Sequence, residues 1–192
     1  CPGFFQSKET PTFRRMSQVL ARGHDVLCMD FRGHGHSGGL CTFSAREPWD
    51  LEAVLQWAAP RYSRIGVLGF SLGAATAIVT AARHQPLVHS LVAVSAPVAF
   101  EEIELKWWTP EAIRRGIEGL EPGAGCRPGS LFLEKPRPID YVGSLAPIPI
   151  LFIHGTKDVI VDVRHSRRLH EAASEPKRLE LALDIGLAPR GD

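Results

Sequence analysis

Ser71 is the residue of this 192-residue chain with the most chemistry written around it. It stands in Gly69-Phe70-Ser71-Leu72-Gly73, where an apolar run over residues 65–68 meets a small-residue stretch containing Ala74, Ala75 and Ala77. A serine hydroxyl becomes an exposed nucleophile when the chain turns sharply beneath it, and two flanking glycines leave room for that turn between a strand and a helix. The same residues could instead cradle the phosphates of a dinucleotide, but such a fold wants an acidic residue about 20 positions on for the ribose. There is no Asp or Glu between Glu52 and Glu101, so this reading ranks last and no cofactor is expected. A second chemical signal is His154-Gly155-Thr156-Lys157-Asp158, which places a carboxylate after another apolar run. Histidine is the usual proton acceptor for a serine. The eight histidines stand at 24, 34, 36, 84, 89, 154, 165 and 170, and none follows Leu183.

Other residues invite weaker readings. His34 and His36 lie in the glycine-rich loop of residues 31–39, but no Cys or acidic partner accompanies them, and metal sites want three or four ligands. No metal is expected there; a loop held by its glycines, with Arg32 paired to a nearby carboxylate, is the better reading. Cys1, Cys28, Cys41 and Cys126 are widely spaced and suit neither zinc nor a disulfide framework. A formal net charge of +1 without any basic tract excludes the usual nucleic-acid and anionic-membrane binders. With no apolar stretch of membrane-spanning length and no signal-peptide pattern, a cytoplasmic protein is expected. The chain opens on Cys1 rather than Met, so a fragment or a processed form is expected as well.

The elements that must position Ser71 and Asp158 follow from periodicity. Thr10-Pro11 reads as a helix start, and Phe13, Met16, Val19 and Leu20 recur at helical spacing. Residues 25–30 read as a short buried strand and residues 49–59 as a helix. A central strand over residues 64–68 and a helix over 72–83 enclose the serine. Further strands are expected at 88–94, 148–153 and 178–183, with a helix over 163–173 capped by Asp162. Strict alternation predicts an α/β fold with a mostly parallel, doubly wound sheet flanked by helices. Residues 98–147 break the rhythm and are rich in Pro and Gly. A strandless stretch of about fifty residues inside a compact domain reads as a functional insertion. The expected organisation is a core of residues 1–97 and 148–192 with a cap or lid over 98–147. Trp107 and Trp108, with Leu131, Phe132 and Leu133, are candidates to line a substrate pocket or to glue the cap down.

Taken in order, DFRGHGHSGG from Asp30, GFSLG around Ser71 and HGTKD ending at Asp158 resemble the α/β-hydrolase superfamily, especially its bacterial esterase and serine-peptidase-like members. The resemblance implies an α/β-hydrolase fold with Ser71 as nucleophile and Asp158 as the acid that orients a catalytic histidine. It implies that the backbone N–H groups of Leu72 and Phe4 form an oxyanion hole, with Phe5 the alternative to Phe4, because Pro2-Gly3-Phe4 matches the segment that supplies the second donor. Asp162 is the weaker acid candidate, and Asp140 precedes the relevant strand. The histidine that the family carries after its last strand is missing here: residues 185–190 look like that loop without it. His154 is read as structural, and His165 and His170 as too far off to serve. Both ends thus look incomplete, and Cys1 matches at most the end of a central strand. The implied function is a serine hydrolase acting on a small-molecule ester, thioester or amide. The alternative is an impaired relative that kept the pocket without the base.

Overall fold

In the computed structural model of the protein, residues 1–103 and 121–183 are described. Four strands, β1 (Gly66–Phe70), β2 (Ser90–Val94), β3 (Ile150–Gly155) and β4 (Lys177–Ala182), form one sheet in the order β1-β2-β3-β4. All three neighbouring pairs are parallel, and Phe70, Val94 and Ile153 lie at one level across the first three strands. Among the described residues the helices α1 (Pro11–Leu20), α2 (Glu47–Ala58), α3 (Leu72–Arg83), the single turn α4 (Pro138–Tyr141) and α5 (Arg164–Ala172) accompany them. The expected parallel α/β sheet flanked by helices is therefore observed.

Helix α3 forms because its run of Leu, Ala, Ile and Val has no breaker after Gly73, and it is buried from Leu72 to Ala81. Its small side chains let it lie close on β1 and β2. One core joins α2, α3 and the sheet through Leu51, Leu55, Val67, Ile78, Leu91 and Phe152. Val98, Ala99, Val142 and Leu145, from the two ends of the segment that breaks the strand pattern, are buried in the same core. The helix α5 starts at Arg164 with Val163 at its N-cap, one residue later than expected, and Asp162 Oδ1 accepts the Arg164 N–H at 2.8 Å from just outside it. No helix among the described residues is long and apolar enough to cross a membrane.

One expectation is corrected. Residues 25–30 form no strand: they have no ladder partner, and Leu27 is 46% exposed. The reason lies beside them, where an open groove separates this segment from β1. Leu131 and Phe132 are exposed, Phe132 at 99%. Their loop is held by Lys135, whose Nζ donates to the carbonyls of Leu131 and Leu133 and lies 5.2 Å from the Phe100 ring centre. Trp107, Trp108 and residues 185–190 fall outside the described residues.

Candidate active site

Ser71 sits between the end of β1 and the start of α3 with φ 48° and ψ −111°. For a residue with a Cβ this conformation costs roughly 1–3 kcal/mol, and it persists only where the surroundings fix it. Two hydrogen bonds do so: the Ser71 N–H donates to Val94 O at 2.8 Å, and Ser71 O accepts from Ala75 N at 2.9 Å. The flanking glycines complete the constraint. A Cβ at Gly69 would lie 2.5 Å from Gly73 O and 2.7 Å from Ala74 Cα. At Gly73 it would lie 2.5 Å from Pro2 O and closer still to Cys1 O. The pattern that singled out Ser71 is thus the steric requirement of a turn crossed by a second strand of backbone.

That second strand is the N-terminal segment. The Cys1 amino group donates to Leu68 O at 2.9 Å, and Cys1 O accepts from Phe70 N at 3.1 Å, so the segment begins alongside β1. Gly3 then passes over the serine: a Cβ on it would be 3.5 Å from Ser71 Cβ. Phe4 follows directly, and Phe5 turns the chain with φ 64°. Among the described residues neither Phe4 nor Leu72 uses its backbone N–H in a hydrogen bond. For Leu72 this is expected, since the first N–H groups of a helix have no partner within it.

The far end of the segment is anchored to the glycine-rich loop. Lys8 donates its backbone N–H to Asp30 Oδ1 at 2.7 Å and its ammonium to Asp30 Oδ2 at 2.5 Å. Burial pushes the Asp30 carboxyl up, but the Lys8 hydrogen bonds, the His36 N–H and the Lys8 charge outweigh it and hold the group below its ordinary value. Arg32 pairs with Asp50 at 2.6 Å, the carboxylate partner expected for it. His34 uses Nδ1 on Arg32 O at 3.1 Å; its Nε2 is buried without a hydrogen bond, and burial pushes the ring's pKa down. Deeper in the loop, burial pushes the Cys41 thiol up to about 12, and the enclosed Glu47 carboxylate accepts from Thr42 N and Oγ1. A row of rings runs from this segment toward the break in the strand pattern: Phe4 to Phe43 at 5.1 Å and Phe43 to Phe100 at 5.3 Å, with Leu72 buried in the same cluster. Sequence reading singled out neither Phe43, Phe100 nor the Lys8–Asp30 pair. The pair joins residues 22 apart in sequence, and only the position of Asp30 at the end of an apolar run hinted at it.

Asp158 follows β3. Its Oδ1 accepts the Ile160 and Val161 N–H groups at 3.0 Å each, while Oδ2 is buried and has no hydrogen bond. His154 Nε2 is 3.6 Å from Oδ2 but is engaged with Val161 O at 2.7 Å, and its Nδ1 meets Ser166 Oγ at 2.6 Å. Both ring nitrogens thus have near partners within the protein: Val161 O accepts from Nε2, and the Ser166 hydroxyl can donate to or accept from Nδ1. Because β1 and β3 are parallel and two places apart, Ser71 and Asp158 leave the same end of the sheet, separated by about two strand spacings, roughly 10 Å. His165 Nδ1 accepts the Val98 N–H at 3.3 Å in a buried position, and His170 packs on Phe152 with ring centres 6.1 Å apart. Among the described residues neither is bonded to Ser71 or Asp158. Asp140 lies exposed on α4. No cluster of His, Cys, Asp and Glu able to hold a metal ion occurs among the described residues.

Comparison with known proteins agrees with this geometry. A family model described as alpha/beta hydrolase fold matches residues 1–110. Protein YqkD of Bacillus subtilis is 29% identical over 183 residues, covering 89% of this chain and 58% of its own length. Protein YfhR of Escherichia coli is 44% identical over 59 residues, 30% of this chain and 21% of its own. The chain thus spans little more than half of the Bacillus relative. Among solved structures, the Pyrococcus furiosus esterase Pf2001 superposes with a TM-score of 0.72 at 26% identity, covering 96% of this chain and 72% of the esterase. The monoacylglycerol lipase of Paleococcus ferrophilus gives 0.75 at 20% identity, covering 96% and 83%, and speaks for the fold.

Proposed function

The chain belongs to the alpha/beta hydrolase fold family, and we propose that within it Ser71 is the acyl-accepting nucleophile of an ester, thioester or amide hydrolase. The observation that carries this reading is the strained Ser71 backbone, fixed at φ 48° on a turn that the N-terminal segment crosses. In the proposed reaction Ser71 Oγ attacks the acyl carbon. The charge that develops on the carbonyl oxygen is held by the Leu72 and Phe4 N–H groups, which have no other partner among the described residues. The bond to the leaving group breaks and the leaving group takes up the proton lost by the serine hydroxyl; water then cleaves the acyl-serine to the free acid and the serine. Asp158 is the orienting acid: Oδ1 is clamped by two N–H groups and Oδ2 is left to accept one more donor. Residues 98–147 are the cap segment in this proposal, and the substrate is a small-molecule acyl compound. The ring row ending at Phe100 ties the start of that segment to the body, and the Arg137–Glu102 ion pair at 3.0 Å joins its two ends to each other.

A second reading rests on the histidines. His154 has both nitrogens engaged, His165 has Nδ1 engaged, and among the described residues no histidine is hydrogen-bonded to Ser71. A chain in this state binds and is acylated slowly, because the oxyanion hole and binding alone leave a residual rate roughly 10³–10⁴ above water. One experiment separates the readings. A fluorophosphonate probe labels the protein and Ser71→Ala abolishes the label in both. Turnover of a p-nitrophenyl ester, lost in Asp158→Asn, belongs only to the first. A folded wild-type protein that takes no label refutes both.

A further inference from the structure

Gly3 is the hinge on which the Phe4 N–H turns. It passes over the serine so closely that a Cβ on it would stand 3.3 Å from Phe70 O and 3.5 Å from Ser71 Cβ, which suits the position to a residue without one. Glycine is also the residue with the most backbone freedom. The two peptide planes that flank Gly3 are therefore free to rotate unless something holds them, and the second of them carries the Phe4 N–H. A donor meant for a carbonyl oxygen on Ser71 needs a fixed direction.

Gln6 holds both planes. Its backbone N–H donates to Gly3 O at 3.2 Å and closes the turn Gly3-Phe4-Phe5-Gln6. A trans peptide is planar, with its C=O and N–H pointing in opposite directions, so fixing Gly3 O also fixes where the Phe4 N–H points. In the preceding plane the Gly3 N–H donates to Gln6 Oε1, again at 3.2 Å. The carboxamide presents its oxygen there because an N–H can be met only by an acceptor. That oxygen lies 3.0 Å from where a Cβ on Gly3 would be, so the Gln6 side chain and Ser71 stand against the same side of Gly3. The backbone bond alone is a weak lock, since Phe5, the third residue of the turn, sits at φ 64°, where turns prefer glycine. Among the described residues the Gln6 side chain makes no other hydrogen bond. A carboxylate could accept the same N–H but would put negative charge beside the oxygen that becomes negative in the reaction; the carboxamide clamps without it.

We propose that Gln6 is a positioning residue of the serine site: acting through Gly3, its neutral carboxamide sets the direction of the Phe4 N–H toward the oxyanion. The inference rests on the reading of Ser71 as nucleophile and Phe4 as oxyanion donor. The test follows saturable inactivation of the whole 192-residue chain by a fluorophosphonate, which separates kinact from the binding constant KI. Gln6→Met keeps the side-chain length and removes the acceptor. Its kinact should fall about tenfold, as for a donor displaced by part of an ångström, with KI unchanged; a merely structural role would raise KI or unfold the chain, which circular dichroism checks. Gly3 amide exchange should quicken about tenfold in the same variant. Gln6→Glu keeps the acceptor and adds the charge. Its kinact should be low at pH 7, and its ratio to the wild type should climb toward about pH 4.5 as the carboxyl takes up a proton, while the Gln6→Met ratio stays flat. Wild-type kinact or Gly3 exchange in Gln6→Met, or a Gln6→Glu ratio that ignores pH, overturns the inference, and a label still abolished by Ser71→Ala then leaves the reading of the nucleophile standing. A wild-type protein that takes no label at Ser71 overturns both.

Discussion

Replacing Gly73 by Ala tests whether the N-terminal segment is seated on the serine turn. Gly73 has an ordinary helical backbone in the first turn of α3, where Ala on propensity alone would stabilise by up to about 1 kcal/mol. The structure reverses that sign. A Cβ would stand 2.5 Å from Pro2 O and closer to Cys1 O, far inside van der Waals contact with two backbone atoms that no rotamer change can move. Relief requires residues 1–4 to lift from the turn by the better part of an ångström, an overpacking cost of roughly 1–3 kcal/mol. For a chain of this size each kcal/mol moves Tm by about 2–4 °C, so Gly73→Ala should lower it by roughly 2–12 °C. The same movement withdraws the Phe4 N–H from the serine, and loss of one oxyanion donor slows acylation about 10²–10³-fold. The assays are calorimetry and the rate of fluorophosphonate labelling, with Gly23→Ala as control because a Cβ there meets nothing within 4 Å. A Tm that stays or rises, together with labelling at the wild-type rate, would refute the seating of the segment.

Two further outcomes follow from buried titratable groups. Burial holds the folded-state pKa of His165 below its ordinary 6.5, so between the two values the unfolded chain binds the extra proton and stability falls as pH drops below about 6.5. Tm should decline from pH 7 to pH 5, and His165→Gln, which still offers Val98 N–H an acceptor, should flatten part of that decline. The Asp30 carboxyl is held below 3.8, so its contribution is lost only in more acid solution and does not overlap this window. The Cys41 thiol, buried and pushed up to about 12, should resist iodoacetamide at pH 8 in the folded protein while the exposed Cys28 reacts. Mass spectrometry of the alkylated peptides decides it, and early Cys41 modification would contradict the burial.

The parts of the site that were legible in the sequence are those whose cause is local. Gly69-Phe70-Ser71-Leu72-Gly73 could be read because the turn's steric demand falls on adjacent residues, and α3 and the four strands because burial writes its period into the chain. Residues 25–30 misled for an instructive reason. Their apolar run encodes a strand environment, but a ladder also needs a neighbour, and the position between them and β1 is an open groove. The Lys8–Asp30 clamp and the Phe4, Phe43 and Phe100 row were invisible because each depends on a contact between distant segments, and nothing in the spacing of one predicts the place of the other.

Strain and proton transfer are separable in this molecule, and that decides how its chemistry should be assayed. The Ser71 conformation is fixed by Val94 O, Ala75 N, two glycines and the crossing of residues 1–3, none of which involves a histidine. In the proposed mechanism the geometry of attack and the oxyanion donors are accordingly independent of the base. Asp158 is prepared in the same independent way: two backbone N–H groups fix one oxygen, and the other is withheld from solvent and from any hydrogen bond. A buried carboxylate oxygen left unpaired is costly, so a donor introduced there gains affinity from relieving it. Acylation by an activated phosphonate reports the serine turn alone. Ester turnover reports the turn plus a proton acceptor, and the ratio of the two rates measures how much of the reaction the proton acceptor carries.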